Sequence, residues 1–110
     1  MRTSTVIKQN LHGGEGQVSV KNILTENEMK DKCGLFGEIV IEPGASLGFH
    51  MHEGESETYY ILSGEGIYDD NGTTYPVGPG EVTFTPSGSG HGMVNSGSED
   101  LVFMALIIKD

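Results

Sequence analysis

Apolar and polar residues alternate along most of this chain. Over residues 17–24, Val18 and Val20 alternate with polar neighbours and lead to Ile23 and Leu24. Over 35–42, Leu35, Ile39 and Ile41 fall on one face, with Glu38 and Glu42 on the other. A period of two is the mark of a strand with one buried side, which makes Glu38 a solvated strand residue rather than a catalytic base. Residues 58–63 centre on Tyr59, Tyr60, Ile61 and Leu62, a composition that favours strands. Residues 81–85 place Val82 and Phe84 on one face, and the unbroken apolar run 101–108 predicts the most buried strand. Shorter strands are predicted at 67–68, 73–77 and 91–95, with an edge strand at 3–8. The exception is Thr25-Glu26-Asn27-Glu28, a helix capping box that predicts one helical turn or a loop.

Turn signals separate these stretches. Pro43-Gly44, Gly64-Glu65-Gly66, Gly78-Pro79-Gly80 and residues 86–90 each break the pattern, and Asn71-Gly72 is a strong hairpin signal. About eight to ten short strands, with turns roughly every 8–12 residues, predict an all-β sandwich or barrel. A chain of 110 residues fits one domain, 1–110, with one modest core. His12-Gly13-Gly14-Glu15-Gly16 is read as a plain turn, because a phosphate-cradling loop needs a Lys and a following helix.

Charge narrows the partners. Sixteen acids against six bases give a net charge of −10, which excludes nucleic acid and anionic membranes as partners. No Lys or Arg lies between Glu38 and Ile108. The apolar run 101–108 is too short to span a bilayer, and the N-terminus lacks a signal-peptide pattern. A soluble cytoplasmic protein is the expectation. The single cysteine, Cys33, suits a reducing compartment and is read as chemically inert.

Three of the four histidines, His50, His52 and His91, lie in one stretch with Glu57. His50 and His52 are two apart, so on a strand both imidazoles point to one face. Glu57 follows a glycine-containing connection read as flexible, and His91 arrives from a distant hairpin. Three imidazoles and a carboxylate suit one divalent first-row metal ion, whether Mn, Fe, Co, Ni or Zn. Four protein ligands leave two octahedral positions open for water, substrate or dioxygen. His12, outside the stretch, is expected in solvent or packed on a loop.

The whole pattern resembles the cupin superfamily. Its first motif, G-x5-H-x-H-x(3,4)-E-x6-G, is met by Gly44, His50, His52, Glu57 and Gly64, over residues 44–64. The second, G-x5-P-x-G-x2-H-x3-N, is met by Gly80, Pro86, Gly88, His91 and Asn95, over residues 80–95. The resemblance implies a single-domain antiparallel jelly-roll β-barrel with the metal inside. On motif spacing Glu57 is the ligand, and Glu53 and Glu55 form a solvated acidic loop. Asn95 is expected to bond backbone near the site. The motif glycines are expected at bends that need positive φ or close backbone approach. Length and the run Gly54-Glu55-Ser56-Glu57-Thr58-Tyr59-Tyr60 look most like short bacterial cupins of the oxalate-decarboxylase-like group.

Cupins span dioxygenases, decarboxylases, isomerases and simple binders, so the resemblance leaves the reaction open. The leading expectation is a metalloenzyme acting on a small oxygenated molecule. The alternative is a non-catalytic ligand-binding or sensing module. A purely structural metal is disfavoured, since structural sites are usually closed and thiolate-rich. Oxalate is disfavoured because no cation is available to clamp it within one barrel, unless Arg2 of the partner subunit reaches in. Tyr59 shares parity with Glu57, and Tyr60 is the rival pocket residue. Metal occupancy is expected to fall below about pH 6, where free imidazoles take up protons. By resemblance a homodimer is expected, with the strand at 3–8 available for exchange.

Overall fold

A computed structural model describes residues 4–110. Arg2 and Thr3, invoked above for a partner contact and an edge strand, lie outside the described residues. Among the described residues, ten strands form two antiparallel sheets. They are β1 (Ser4–Gln9), β2 (Gln17–Asn22), β3 (Cys33–Ile41), β4 (Ser46–Met51), β5 (Glu55–Ser63), β6 (Gly66–Asp70), β7 (Thr73–Val77), β8 (Val82–Thr85), β9 (Gly90–Asn95) and β10 (Leu101–Lys109). One sheet runs β1-β2-β3-β10-β5-β8 and the other β4-β9-β6-β7. Among the described residues each strand ladder stays within its own sheet.

The core lies between the sheets and follows from register. Val20, Ile39, Phe103 and Ile61 are successive cross-strand neighbours, so they make one row on the inner face of the larger sheet. Leu47, Met93 and Tyr68 make the matching row of the smaller sheet. All seven side chains are buried, and Phe103 is fully so. Truncating such a phenylalanine to alanine costs about 3–5 kcal/mol.

The helical turn α1 (Glu26–Met29) starts as its sequence requires. The Thr25 hydroxyl accepts from the Glu28 N–H, and the Thr25 N–H donates to Glu28 Oε1. The motif glycines Gly44, Gly64, Gly80 and Gly88 all take positive φ, between 81° and 88°.

Two local readings change. Residues 55–57 are part of β5 rather than a flexible connection. Glu57 is therefore fixed between Ile107 of β10 and Thr85 of β8. On β8 the apolar face is the outer one. Val82 and Phe84 are 61% and 57% exposed, whereas Thr83 and Thr85 are buried. The cause is register, because Thr85 stands opposite the inward-facing Glu57. The inner face at this end of the sheet is the candidate site, and it calls for hydroxyls.

Candidate metal centre

His50 lies on β4 directly opposite His91 on β9. His52 lies just beyond β4. Its backbone is held by two hydrogen bonds, from its own N–H to Ser89 O (2.9 Å) and from the Gly88 N–H to its carbonyl (2.8 Å). Glu57 projects from β5. The four predicted residues thus come together, with one donor atom from each within 4.8 Å of every other. His91, Glu57 and His52 are buried, and His50 is half-buried.

Hydrogen bonds fix which nitrogens face inward. His50 Nδ1 donates to the Gly48 carbonyl at 2.9 Å, and His52 Nδ1 donates to Glu55 Oε2 at 2.7 Å. A carbonyl and a carboxylate can only accept, so each neutral ring carries its proton on Nδ1 and keeps a lone pair on Nε2. His91 Nδ1 lies 2.8 Å from the Tyr68 hydroxyl and 2.9 Å from Thr85 Oγ1. Either hydroxyl can accept its proton, and in that tautomer the His91 Nε2 lone pair faces inward.

Those lone pairs meet at the carboxylate. Glu57 Oε1 is 2.9 Å from His91 Nε2 and 3.0 Å from His52 Nε2, and the two nitrogens are 3.0 Å apart. With both Nε2 atoms unprotonated, two imidazole lone pairs and a buried carboxylate oxygen repel one another at this range, and a cation, whether a metal ion or a proton, relieves that repulsion. The donor set fits a divalent first-row ion, and the outer hydrogen bonds orient the rings as metal-binding histidines require. Burial lowers the pKa of His50 to about 4, while the bond to Gly48 opposes that shift. The ring therefore stays neutral, as a ligand must.

The surroundings include residues that sequence reasoning set aside. Glu55 is not a solvated loop acid, since it begins β5 and holds His52. Glu53 is exposed, as expected. His12 is exposed, as expected, but it also makes a contact the sequence did not suggest. In the 3₁₀ turn Leu11–Gly13 it stacks on His50, with ring centroids 3.7 Å apart. Lys8 lines the cavity of about 560 Å³ over the site, although the central stretch has no base. Parity was its available signal: Val6 and Lys8 stand opposite the buried Val20 and Val18, so all four share a face.

Tyr59 is buried, whereas Tyr60 is 46% exposed. Tyr59 stacks on His91 and puts its hydroxyl 3.3 Å from His91 Nε2. Burial, reinforced by the Glu57 charge, pushes its pKa well above the usual value, so the phenol remains a donor. Asn95 bonds backbone, donating to Ile41 O and Glu99 O at 2.8 Å each. It does so at the opposite end of β9 from His91, away from the site.

Comparison with known proteins agrees with this geometry. The model of the cupin domain family, Cupin_2, matches residues 37–107. An "Oxalate-binding protein" of Thermotoga maritima is 46% identical over 99 residues, covering 90% of this chain and 82% of that protein. "Oxalate decarboxylase OxdC" of Bacillus subtilis is 31% identical over 77 residues, 66% of this chain but 20% of that protein. The crystal structure of a predicted oxalate decarboxylase from Thermotoga maritima superposes with a TM-score of 0.94 at 43% identity. That match covers 97% of this chain and 93% of the other. The chain belongs to the cupin family.

Proposed function

We propose that this cupin binds one divalent metal ion through His50, His52, Glu57 and His91, and uses it to hold a small chelating oxygen compound for reaction. The two sheets would be the walls of a jelly-roll barrel around that ion. The observation that carries the reading is the convergence of His91 Nε2 and His52 Nε2 on Glu57 Oε1, at 2.9 Å and 3.0 Å, with His50 in the same cluster. A bound ion would supply Lewis-acid polarisation of the ligand's oxygens or oxygen activation. The chain's own groups orient and exclude. Glu55, Gly48 O and the Tyr68–Thr85 pair fix the three rings, and Tyr59 offers a hydroxyl beside His91.

Lys8 alters the weighing of acidic ligands. It brings a cation to the cavity that the central stretch lacks. Dicarboxylates such as oxalate, for which two of the relatives above are named, therefore stand beside neutral chelators as ligand candidates. The reaction types in view are decarboxylation, dioxygenation and isomerisation. Binding without turnover is the second reading, favoured by the relative described as an oxalate-binding protein.

Two accompanying proposals concern setting. Cys33 is a free thiol, which suits the cytoplasm. The outer face of β5 and β8 exposes Tyr60, Leu62, Val82 and Phe84, which suits a homodimer through that face. Sedimentation velocity tests the dimer, and charged substitutions at Val82 and Phe84 should yield monomer.

The deciding experiment is elemental analysis of purified protein beside the His50→Ala and His91→Ala variants, then oxygen-uptake and carbon-dioxide-release assays across a chelator panel. One metal per wild-type chain and none in the folded variants is the expected result. Full metal in either folded variant overturns the site. Gas exchange with any compound supports an enzyme, and saturable binding with unchanged compound supports the binder.

A further inference from the structure

The wall beside the metal-site residues is apolar, and register shows how far it extends. In the row that holds Glu57, the next residues across the sheet are Ile107 on β10 and Leu35 on β3. Two rows further along the same face, beyond the row of Ala105 and Gly37, run Val6, Val20 and Ile39 across β1, β2 and β3. Ile107, Leu35, Val6, Val20 and Ile39 line the same cavity as His50, His52 and Glu57. One side of the cavity is therefore built from nitrogen and oxygen donors, and an adjoining side largely from branched hydrocarbon, interrupted by Asn22.

Size points the same way. A cavity of about 560 Å³ falls within the roughly 300–1,000 Å³ that holds drug-sized ligands. A six-atom dicarboxylate chelated at the donors would leave the hydrocarbon wall facing water. Leu35 and Ile107 are only half-buried, so that wall retains apolar surface to cover. Nothing about coordination alone calls for branched side chains there, and a solely ionic ligand gains nothing from them.

We infer that the ligand carries an apolar body of several carbons behind its chelating oxygen head, with the head at His50, His52, Glu57 and His91 and the body along Leu35, Ile107, Val20 and Ile39. This rests on the metal reading above, because the head needs the ion. It assigns a class, amphipathic chelators such as alkyl or aryl oxo-acids and enols, in place of a bare dicarboxylate.

The test is a homologous series of hydroxamates, from acetohydroxamate to octanohydroxamate, titrated calorimetrically into cobalt(II)-loaded protein. The cobalt absorption band reports that each head is bound to the ion. Burial of methylene groups predicts that Kd tightens about fourfold for each CH2 added, until the wall is covered. Leu35→Thr and Ile107→Thr should flatten that dependence. The wild-type series decides the matter even if neither variant folds. Equal, cobalt-dependent affinity for short and long members overturns the apolar body and spares the metal site. Failure to take up cobalt overturns both.

Discussion

The imidazole of His12 lies flat on that of His50, 17° from parallel, although 38 residues separate them. His12 gives no atom to the four-ligand group. It covers one face of a ring whose edge is already held by the Gly48 carbonyl. Together these contacts leave the His50 ring little freedom to turn its Nε2 away from the site. Loss of partners that orient metal ligands typically costs 10–100-fold in affinity. His12→Ala should therefore weaken metal binding by about tenfold, while His12→Phe, which can still stack, should keep most of it. Both variants meet the same positive φ of 54° at this position, so backbone strain cancels in the comparison. A chelator-competition titration reads the difference, and equal affinities for alanine and wild type would remove His12 from the site.

Glu55 holds His52 as Gly48 O holds His50, but through a charged partner at 2.7 Å. Glu55→Ala should loosen the ring and weaken metal binding by about 10–100-fold. Glu55→Gln keeps an acceptor oxygen and should lose less. Metal stoichiometry at saturation should stay at one per chain in both, since the ligand set is intact. Metal content that drops to zero in a folded Glu55→Ala protein would mean that Glu55 is itself a ligand.

The linear spacing of Gly44, His50, His52, Glu57, Gly64 and of Gly80, Pro86, Gly88, His91, Asn95 was enough to find the four clustered residues and the family. Period-two alternation found nearly every strand. What it could not show was which face of β8 points inward, because Val82 and Phe84 look like core until Thr85 is set opposite Glu57. His12 and Lys8 were invisible for a different reason. Their roles depend on how the first strand and turn fold over the cavity, so motif spacing says nothing of them, and the parity that Lys8 shares with Val6 becomes a signal only once β1 is set against β2. Glu55 was misread because 53–57 looked like a loop, although its carboxylate begins a strand beside His52. Tyr59 shares the parity of Glu57, and burial bears that parity out over Tyr60.

The low pKa of His50 shifts the expected response to acid. A free imidazole takes up a proton near pH 6.5, but burial delays this in His50 to about pH 4. Between those values the unfolded chain binds a proton at His50 that the folded chain does not. The stability linked to this residue is thus fully present above about pH 6.5 and falls away as pH drops towards about 4. Denaturant unfolding of metal-free protein at several pH values, beside His50→Gln, isolates the effect. The gap between the two unfolding curves should change in wild type's disfavour as pH falls from 7 to 5. A gap independent of pH would show that His50 titrates normally. At His50, protons should also fail to displace metal until well below the pH 6 suggested by free imidazole.

Gly48 makes the His12–His50 contact possible, and removing its freedom should break it. A β-carbon at residue 48 would run into the His12 carbonyl oxygen and the Gly14 nitrogen, both of them backbone atoms. No side-chain rotation can relieve that clash, so the 3₁₀ turn Leu11–Gly13 must lift away from β4. Overpacking of this kind costs about 1–3 kcal/mol, and Gly48→Ala should be destabilised by that order. Its metal affinity should fall about as far as that of His12→Ala, because each change removes the same cover from His50. The double variant then distinguishes a shared cause from two separate ones. If both act through the stacked ring, Gly48→Ala combined with His12→Ala should bind metal no more weakly than the worse single variant. Additive losses would mean that Gly48 disturbs His50 directly, through its own carbonyl, and that the turn above it is incidental to the ligand geometry.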